Sequence, residues 1–364
     1  MMTAVDVAVI GLGVYGSAVA DALARCGRRV LAVEQSGADE VGGASQGPVR
    51  MLRTHDPDRP ELDGLARRAA RQWRALSAAQ PSPLLRAVAG VFVRPPAARP
   101  LLAASGRPSL GSRDRSLPAG HPLRLPLAVP AGWEVAGSRG CGLLDARAAV
   151  LALRERARAH GATLLFGRRA ELATRAPEEP VRISVGDRRV TAARLLICVG
   201  AWSTGLPAWA RVPGLRVEPT YMQVATFAEA ALGGSAYYVF GHGDERFCAI
   251  PLTSGGLQFG HFAQPAAASS PPDRAEASWR RDAAALARFV PDLGPALTRS
   301  TVAGCYSTPP GGAFTLRWAS PYAATLVACS GVGFKYAPAV AELVVAALDQ
   351  RLARRPGLRV EAAR

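Results

Sequence analysis

The opening VDVAVIGLGVYGSAVADALARCGRRVLAVEQ constrains this chain more than any other segment. Val5 to Ile10 is a continuous apolar run of strand length, and Gly11, Gly13 and Gly16 then give GxGxxG. Ala18, Val19, Ala22 and Leu23 recur at helical spacing up to Cys26. Gly27 is placed to end that helix, and Val30 to Val33 makes a second strand that stops at Glu34. The glycines allow, in turn, a tight bend, backbone approach to a pyrophosphate at the helix N-terminus, and close packing of helix on strand. The acid reaches a ribose hydroxyl. Without this context GxGxxG is only a glycine turn; with strand, helix and acid in order it predicts dinucleotide binding on the parallel sheet of an α/β protein.

Composition narrows what else the chain does. Its 364 residues, 49% hydrophobic and 20% charged, suit a globular protein of one large or two coupled domains. No apolar run approaches the roughly 20 residues that span a bilayer, so a soluble, cytoplasmic protein without a secretory signal is expected. The six cysteines are widely spaced and form no CxxC or metal-ligand pattern, which fits a reducing compartment. The formal charge of +16 raises the question of nucleic acid. However, 43 of the 44 basic residues are Arg, scattered among acids, with no basic stripe interleaved with aromatics. Nucleic acid is therefore not an expected partner. The single lysine, Lys335, stands where arginine has not replaced it, in a glycine turn entering a helix.

Further along, a helix is expected over 61–79, an irregular Pro- and Gly-rich connection over 95–130, a helix over 146–160 and a strand over 163–166. A buried strand over 195–199 ends at Gly200, a second strand-to-glycine junction of the kind that borders a cofactor crevice. Strands at 221–227, 237–240, 247–251 and 257–262 follow at short intervals and predict an inserted antiparallel sheet. A helix over 273–289, a strand over 323–328 and a closing glycine turn with a long apolar helix complete the pattern.

Five segments in this order, GLGVYG, GASQGPVRMLR, ARLLICVGAWS, VAGCYS and SGVGFKY, resemble the monomeric sarcosine oxidase branch of the glycine/D-amino-acid oxidase flavoproteins. The resemblance runs from about residue 4 to residue 350 and is weak over 95–130 and 263–295. It implies a monomer that binds FAD. A discontinuous, Rossmann-like FAD-binding domain would span 1–80, 140–210 and 300–364, and an antiparallel-sheet substrate domain 81–139 and 211–299. The cofactor contacts it implies are Gly11, Gly13, Gly16, Glu34, Ser45, Arg50, Gly200, Gly331, Gly333, Phe334 and Lys335, with Ala170 holding the adenine through its backbone. Cys305 falls where the family joins a cysteine sulfur to the flavin, so a covalent thioether is expected there. Arg53 and Lys335 match the pair that binds the substrate carboxylate, a bidentate fork and a point charge.

Departures from the family pattern matter as much. Gln258 falls where sarcosine oxidases carry a lysine above the flavin that promotes reaction with oxygen. Phe262 replaces a histidine, Cys248 a tyrosine, and Tyr238 a methionine of the pocket wall. The expected function is oxidation of the C–N bond of a carboxylate-bearing, secondary or cyclic amino acid to an imine, with Lys335, Arg53, Gln258 and Tyr238 at the reacting centre. Oxygen or another acceptor would take the electrons. The alternatives are a dehydrogenase or desaturase using a non-oxygen acceptor, and a flavin-binding subunit without turnover.

Overall fold

A computed structural model describes residues 3–55, 59–96, 114–124, 127–173, 181–228, 232–262, 271–349 and 358–361, and places them in two sheets flanked by helices. The first sheet begins with the apolar run Thr3–Ile10, which pairs in parallel with Val30–Val33 on one side and Arg188–Ile197 on the other. Thr163–Leu165 continues the parallel order beyond Val30–Val33, and Ala323–Val327 beyond Arg188–Ile197. Thr315–Ser320 and Arg359–Glu361 close that edge. The central strands are buried on both faces, which explains why they read as unbroken apolar runs rather than alternating ones.

Helix α1 (Val14–Arg25) follows the glycine turn and is buried along nearly its whole length. It packs on α3 (Ala146–Ala159) and on α5 (Ala337–Leu348), while α2 (Asp63–Ala78) packs on α5. The buried face of α1 carries one acid, Asp21, whose carboxylate accepts 2.8 and 2.7 Å hydrogen bonds from the Arg156 guanidinium on α3. Gly16 lets α1 sit this close. A Cβ there would lie 1.7 Å from the Gly11 carbonyl oxygen, so the turn and the helix would have to separate. Gly16→Ala is expected to destabilise the fold by about 1 to 3 kcal/mol, the typical range for overpacking a rigid site. A thermal melt unchanged by the substitution would contradict that reading.

The second sheet runs in the order Ala296–Thr308, Arg216–Phe227, Leu257–His261, Phe247–Pro251, Ala236–Phe240, Leu85–Arg94, Glu134–Asp145, Val49–Leu52. Helix α4 (Pro271–Phe289) covers one face with an aromatic core of Tyr238, Phe240, Phe247, Phe259 and Phe289. The Phe240 and Phe289 rings stack with centroids 4.3 Å apart. The fully buried Asp282 of α4 is satisfied there by the Gln223 amide at 3.0 Å, the His261 ring at 2.6 Å and the Arg281 guanidinium at 2.9 Å.

Three expectations need correcting. The second sheet is not wholly antiparallel, because Ala236–Phe240 runs parallel to Leu85–Arg94. Val49–Leu52 and the long strand Ala296–Thr308, which the sequence boundaries assign largely to the nucleotide-binding half, pair into the second sheet. Their apolar patterns do not say which sheet edge receives them; long-range pairing does. The stretch expected to be irregular carries a short strand, Asp114–Ser116, against Glu134–Asp145, while residues 97–113 and 125–126 lie outside the described residues.

Candidate active site

The residues expected to cradle a nucleotide gather at the C-terminal ends of the parallel strands. The N-terminus of α1 begins at Gly13, which supplies no side-chain cap, and its first turn carries no acid, so the positive end of the helix dipole is left to favour an anion. The Glu34 carboxylate accepts from the Leu12 N–H at 2.7 Å and the Ser36 N–H at 3.1 Å. Arg154 grips the other side of the turn, donating to the Leu12 carbonyl at 2.7 Å. Ser45 is buried and its hydroxyl accepts from the Val14 N–H at 2.9 Å, tying the loop after Gly42 to the helix start. Gly167 and Arg168 donate backbone N–H groups to the Ser36 and Glu34 carbonyls, which brings the short strand Ala170–Glu171 to the same end of the cradle as Glu34. Gly200 adopts φ +54° at the end of Arg188–Ile197, with no atom within 4 Å of where its Cβ would be.

A cleft lies between the Gly43 and Gly331 loops and the second sheet. One side is made by backbone-rich loops, Gly43–Gln46 and Gly331–Lys335; the other is the second sheet. Arg50 holds the first loop in shape, donating to the Val49 carbonyl at 2.8 Å, the Ala44 carbonyl at 3.0 Å and the Gln46 carbonyl, with its guanidinium 5.5 Å from the Phe334 ring centre. Burial depresses the pKa of this guanidinium. The second loop is strained: Ser330 has φ +43°, a conformation that costs a non-glycine residue about 1 kcal/mol or more, and Gly331 follows at φ +67°. Gly333 is pinned because a Cβ would meet the Ala328 carbonyl oxygen at 1.8 Å, and the Tyr15 hydroxyl donates to its carbonyl at 2.7 Å. The indole N–H of Trp73 on α2 donates to the Lys335 carbonyl at 2.9 Å, and the Trp73 and Phe334 rings stack at 6.0 Å.

The loop therefore presents Lys335 at a fixed place. It is 5% exposed, and its ammonium donates to the Val332 carbonyl at 3.1 Å and lies 4.5 Å from the Tyr336 ring centre. Arg53, also 5% exposed, lines the same cleft. With Arg50 this makes three cations among the described lining residues and no Asp or Glu. Gln258, 4% exposed, faces the cleft from the sheet beside Ile250. Tyr306 also lines it, and burial pushes its phenol up to about 12. Cys248 and Cys329 are further lining residues, and burial pushes the Cys248 thiol up to about 12.

Two sequence expectations do not hold in this geometry. Tyr238 is 1% exposed and sits on the α4 face of the sheet, packed with Phe240, Phe259 and Phe289, while its neighbours Tyr237 and Val239 lie on the cleft side. Cys305 pairs with Pro219 in a strand whose cleft-facing residues are Val302, Gly304 and Tyr306. Alternation along a strand turns Cys305 to the opposite face. The position that faces the Gly43 loop is Gly304, where a Cβ would lie 3.7 Å from the Gly43 carbonyl oxygen and 3.3 Å from the Thr220 hydroxyl.

Residues 6–347 match the DAO family, described as FAD dependent oxidoreductases. The chain belongs to that family. Monomeric sarcosine oxidase from Bacillus sp. strain NS-129 is 26% identical over 364 aligned residues, covering 94% of this chain and 92% of the relative. Among solved structures, NikD, an unusual amino acid oxidase essential for nikkomycin biosynthesis, has a TM-score of 0.77 at 20% identity, covering 97% of this chain and 96% of that one. Glycine oxidase from Geobacillus kaustophilus has a TM-score of 0.76 at 18% identity with the same coverage. This family member is thus an FAD-dependent oxidoreductase, and its cradle suits the cofactor: a helix N-terminus with no acid in its first turn for the pyrophosphate, an acid at the strand end for the ribose, and the Gly43 and Gly331 loops bordering the cleft for the flavin ring. Tyr306 is a lining residue that the sequence reading misses. Its signal is present in VAGCYS, one residue beyond the cysteine.

Proposed function

We propose that the protein oxidises the C–N bond of a carboxylate-bearing, secondary or cyclic amino acid to an imine. The observation that carries this reading is the convergence of Arg53 and Lys335 in one cleft whose described lining contains no acid. A substrate carboxylate meets the guanidinium fork and the ammonium, which fix its orientation. Burial pushes the Tyr306 phenol up to about 12, so it is kept as a hydroxyl that can serve as a further donor. An ammonium group finds three cations and no counter-charge here, so the cleft selects the neutral amine, the form from which the C–N bond is oxidised. FAD, when bound, would supply the two-electron acceptor, and the sheet and loops that line the cleft would orient the amino acid and exclude water. Gln258 brings no positive charge to the oxygen-reacting position, which supports a dehydrogenase using an acceptor other than dioxygen as the second reading.

The cofactor is held without a thioether in this reading, because Cys305 faces away from the cleft and Gly304 takes the place beside the Gly43 loop. Acid precipitation of the yellow holoenzyme is expected to leave all of the flavin in the supernatant, and Cys305→Ala to leave flavin content unchanged. Colour in the wild-type pellet that disappears in Cys305→Ala would restore the covalent link. Anaerobic addition of N-methyl and cyclic amino acids should bleach the bound flavin near 450 nm; an unresponsive spectrum across the panel would refute amino acid oxidation.

A further inference from the structure

The two halves of the cleft differ in chemistry. Arg53 and Lys335 collect positive charge at the loop side, whereas the sheet side presents Met51, Met222, Cys248, Ile250 and Phe262. Two of these flank a glycine. Cys248 and Gly260 are direct cross-strand partners, and the register Gln223 to Phe259 sets Met222 beside Gly260 on the opposite flank. A Cβ on Gly260 would lie 3.1 Å from the Asp282 carboxylate oxygen and 3.2 Å from the Met222 sulfur, so no side chain is accommodated and bare backbone forms the floor of a trough flanked by Met222 and Cys248. The Cys248 thiol is neutral, since burial pushes it to about 12, and behaves as a small soft apolar group. Ile250 closes one end next to Gln258, and Phe262 the other. Phe262 is held by its own N–H donating to the Arg246 carbonyl at 2.9 Å and by the Arg246 guanidinium 5.2 Å from its ring centre.

Beneath the trough the apolar surface is continuous with a buried cluster that includes Val88, Phe92, Tyr237 and Val239. An apolar concavity opposite a carboxylate anchor is the arrangement that reads a ligand's hydrocarbon body. Glycine-sized side chains would leave it in contact with water, an unfavourable use of apolar surface.

Resting on the carboxylate-anchored reading above, we propose that the side-chain subsite formed by Met222, Cys248, Gly260, Ile250 and Phe262 selects substrates with a ring-sized apolar body over N-methylglycine and over amino acids with polar or charged side chains. Ring and branched hydrocarbon bodies fill the trough, and a second carboxylate on the body is disfavoured because it would lose its water against Met222, Ile250 and Phe262.

Binding can be read without turnover. The holoenzyme is titrated with cyclohexanecarboxylate, acetate and succinate while the flavin absorbance is followed. Cyclohexanecarboxylate is expected to bind about 30- to 100-fold more tightly than either, the discrimination a buried hydrocarbon ring provides. Phe262→Ser and, independently, Ile250→Ala should reduce that ratio to about 10-fold or less and leave acetate binding within about twofold, in proteins whose melting temperatures confirm folding. Equal binding of the three acids, or a ratio unmoved in both variants, would overturn the subsite. Ring selectivity in the titration with no bleaching by any amino acid would refute the amine-oxidation reading alone and leave the subsite standing.

Discussion

Replacing Arg53 or Lys335 with Met is expected to lower kcat/KM for the amino acid substrate by about 30- to 1000-fold, equivalent to about 2 to 4 kcal/mol, the range for removing one partner of a desolvated, charge-assisted pair. Both side chains are 5% exposed, so neither has water enough around it to make up for a lost carboxylate, and Met keeps approximately the volume and stem of each. The distinguishing measurement uses the substrate and its methyl ester or amide with each enzyme. In the wild type the neutral analogue should lose nearly the full factor; in the variants the acid and its analogue should differ by only a few-fold, because the interaction is already gone. Such non-additivity is the mark of a direct contact. If the neutral analogue loses as much in the variants as in the wild type, the two cations act on something other than the carboxylate.

The second large effect concerns electron disposal. Negative charge builds on dioxygen as it is reduced, and a cation about 4 Å away at an effective dielectric near 20 stabilises it by about 4 kcal/mol, or roughly a thousandfold in rate. Gln258 lies in the cleft wall with a neutral amide. Lys335 is engaged with the carboxylate in the proposed reading, and a bound anion partly cancels its field. We therefore expect oxygen uptake during turnover to be slow beside the reduction of an artificial dye acceptor. Gln258→Lys should raise the oxygen rate by about 10- to 100-fold and change the dye-linked rate little, since the charge acts only on the oxygen step. Wild-type oxygen turnover as fast as dye reduction, or no gain in the lysine variant, would return a plain oxidase as the function.

Much of the nucleotide-binding half is legible in the sequence because its signals are local. The strand, glycine turn, helix, strand and acid of residues 5–34 specify one another within a few residues, and the observed Thr3–Ile10, Val14–Arg25 and Val30–Val33 follow them closely. The unusual retention of Lys335 in an arginine-rich chain points to a site, and the side chain is buried in the cleft beside a strained turn. Helices α2, α3 and α4 are also readable, because a one-sided apolar stripe needs no partner to be recognised.

Cys305 and Tyr238 depart from expectation for one shared reason. Position in a motif assigns both to the site, yet each sits one residue out of phase with the face that lines the cleft. A strand turns successive side chains to opposite faces, so an offset of one residue exchanges the cleft side for the side turned away from it. Which phase is realised depends on pairing between distant segments, such as Gly304 with Thr220 and Tyr238 with Ala249, and on which face α4 covers. The same long-range pairing brings Tyr306, Cys248 and Phe262 to a single wall from separate strands. What the sequence determined alone was the cofactor class and the order of elements, since each is written in residues close together. Only the tertiary structure decided which side chains line the cleft, because the facing of a β-strand is set by hydrogen-bonded partners that no local stretch of sequence contains.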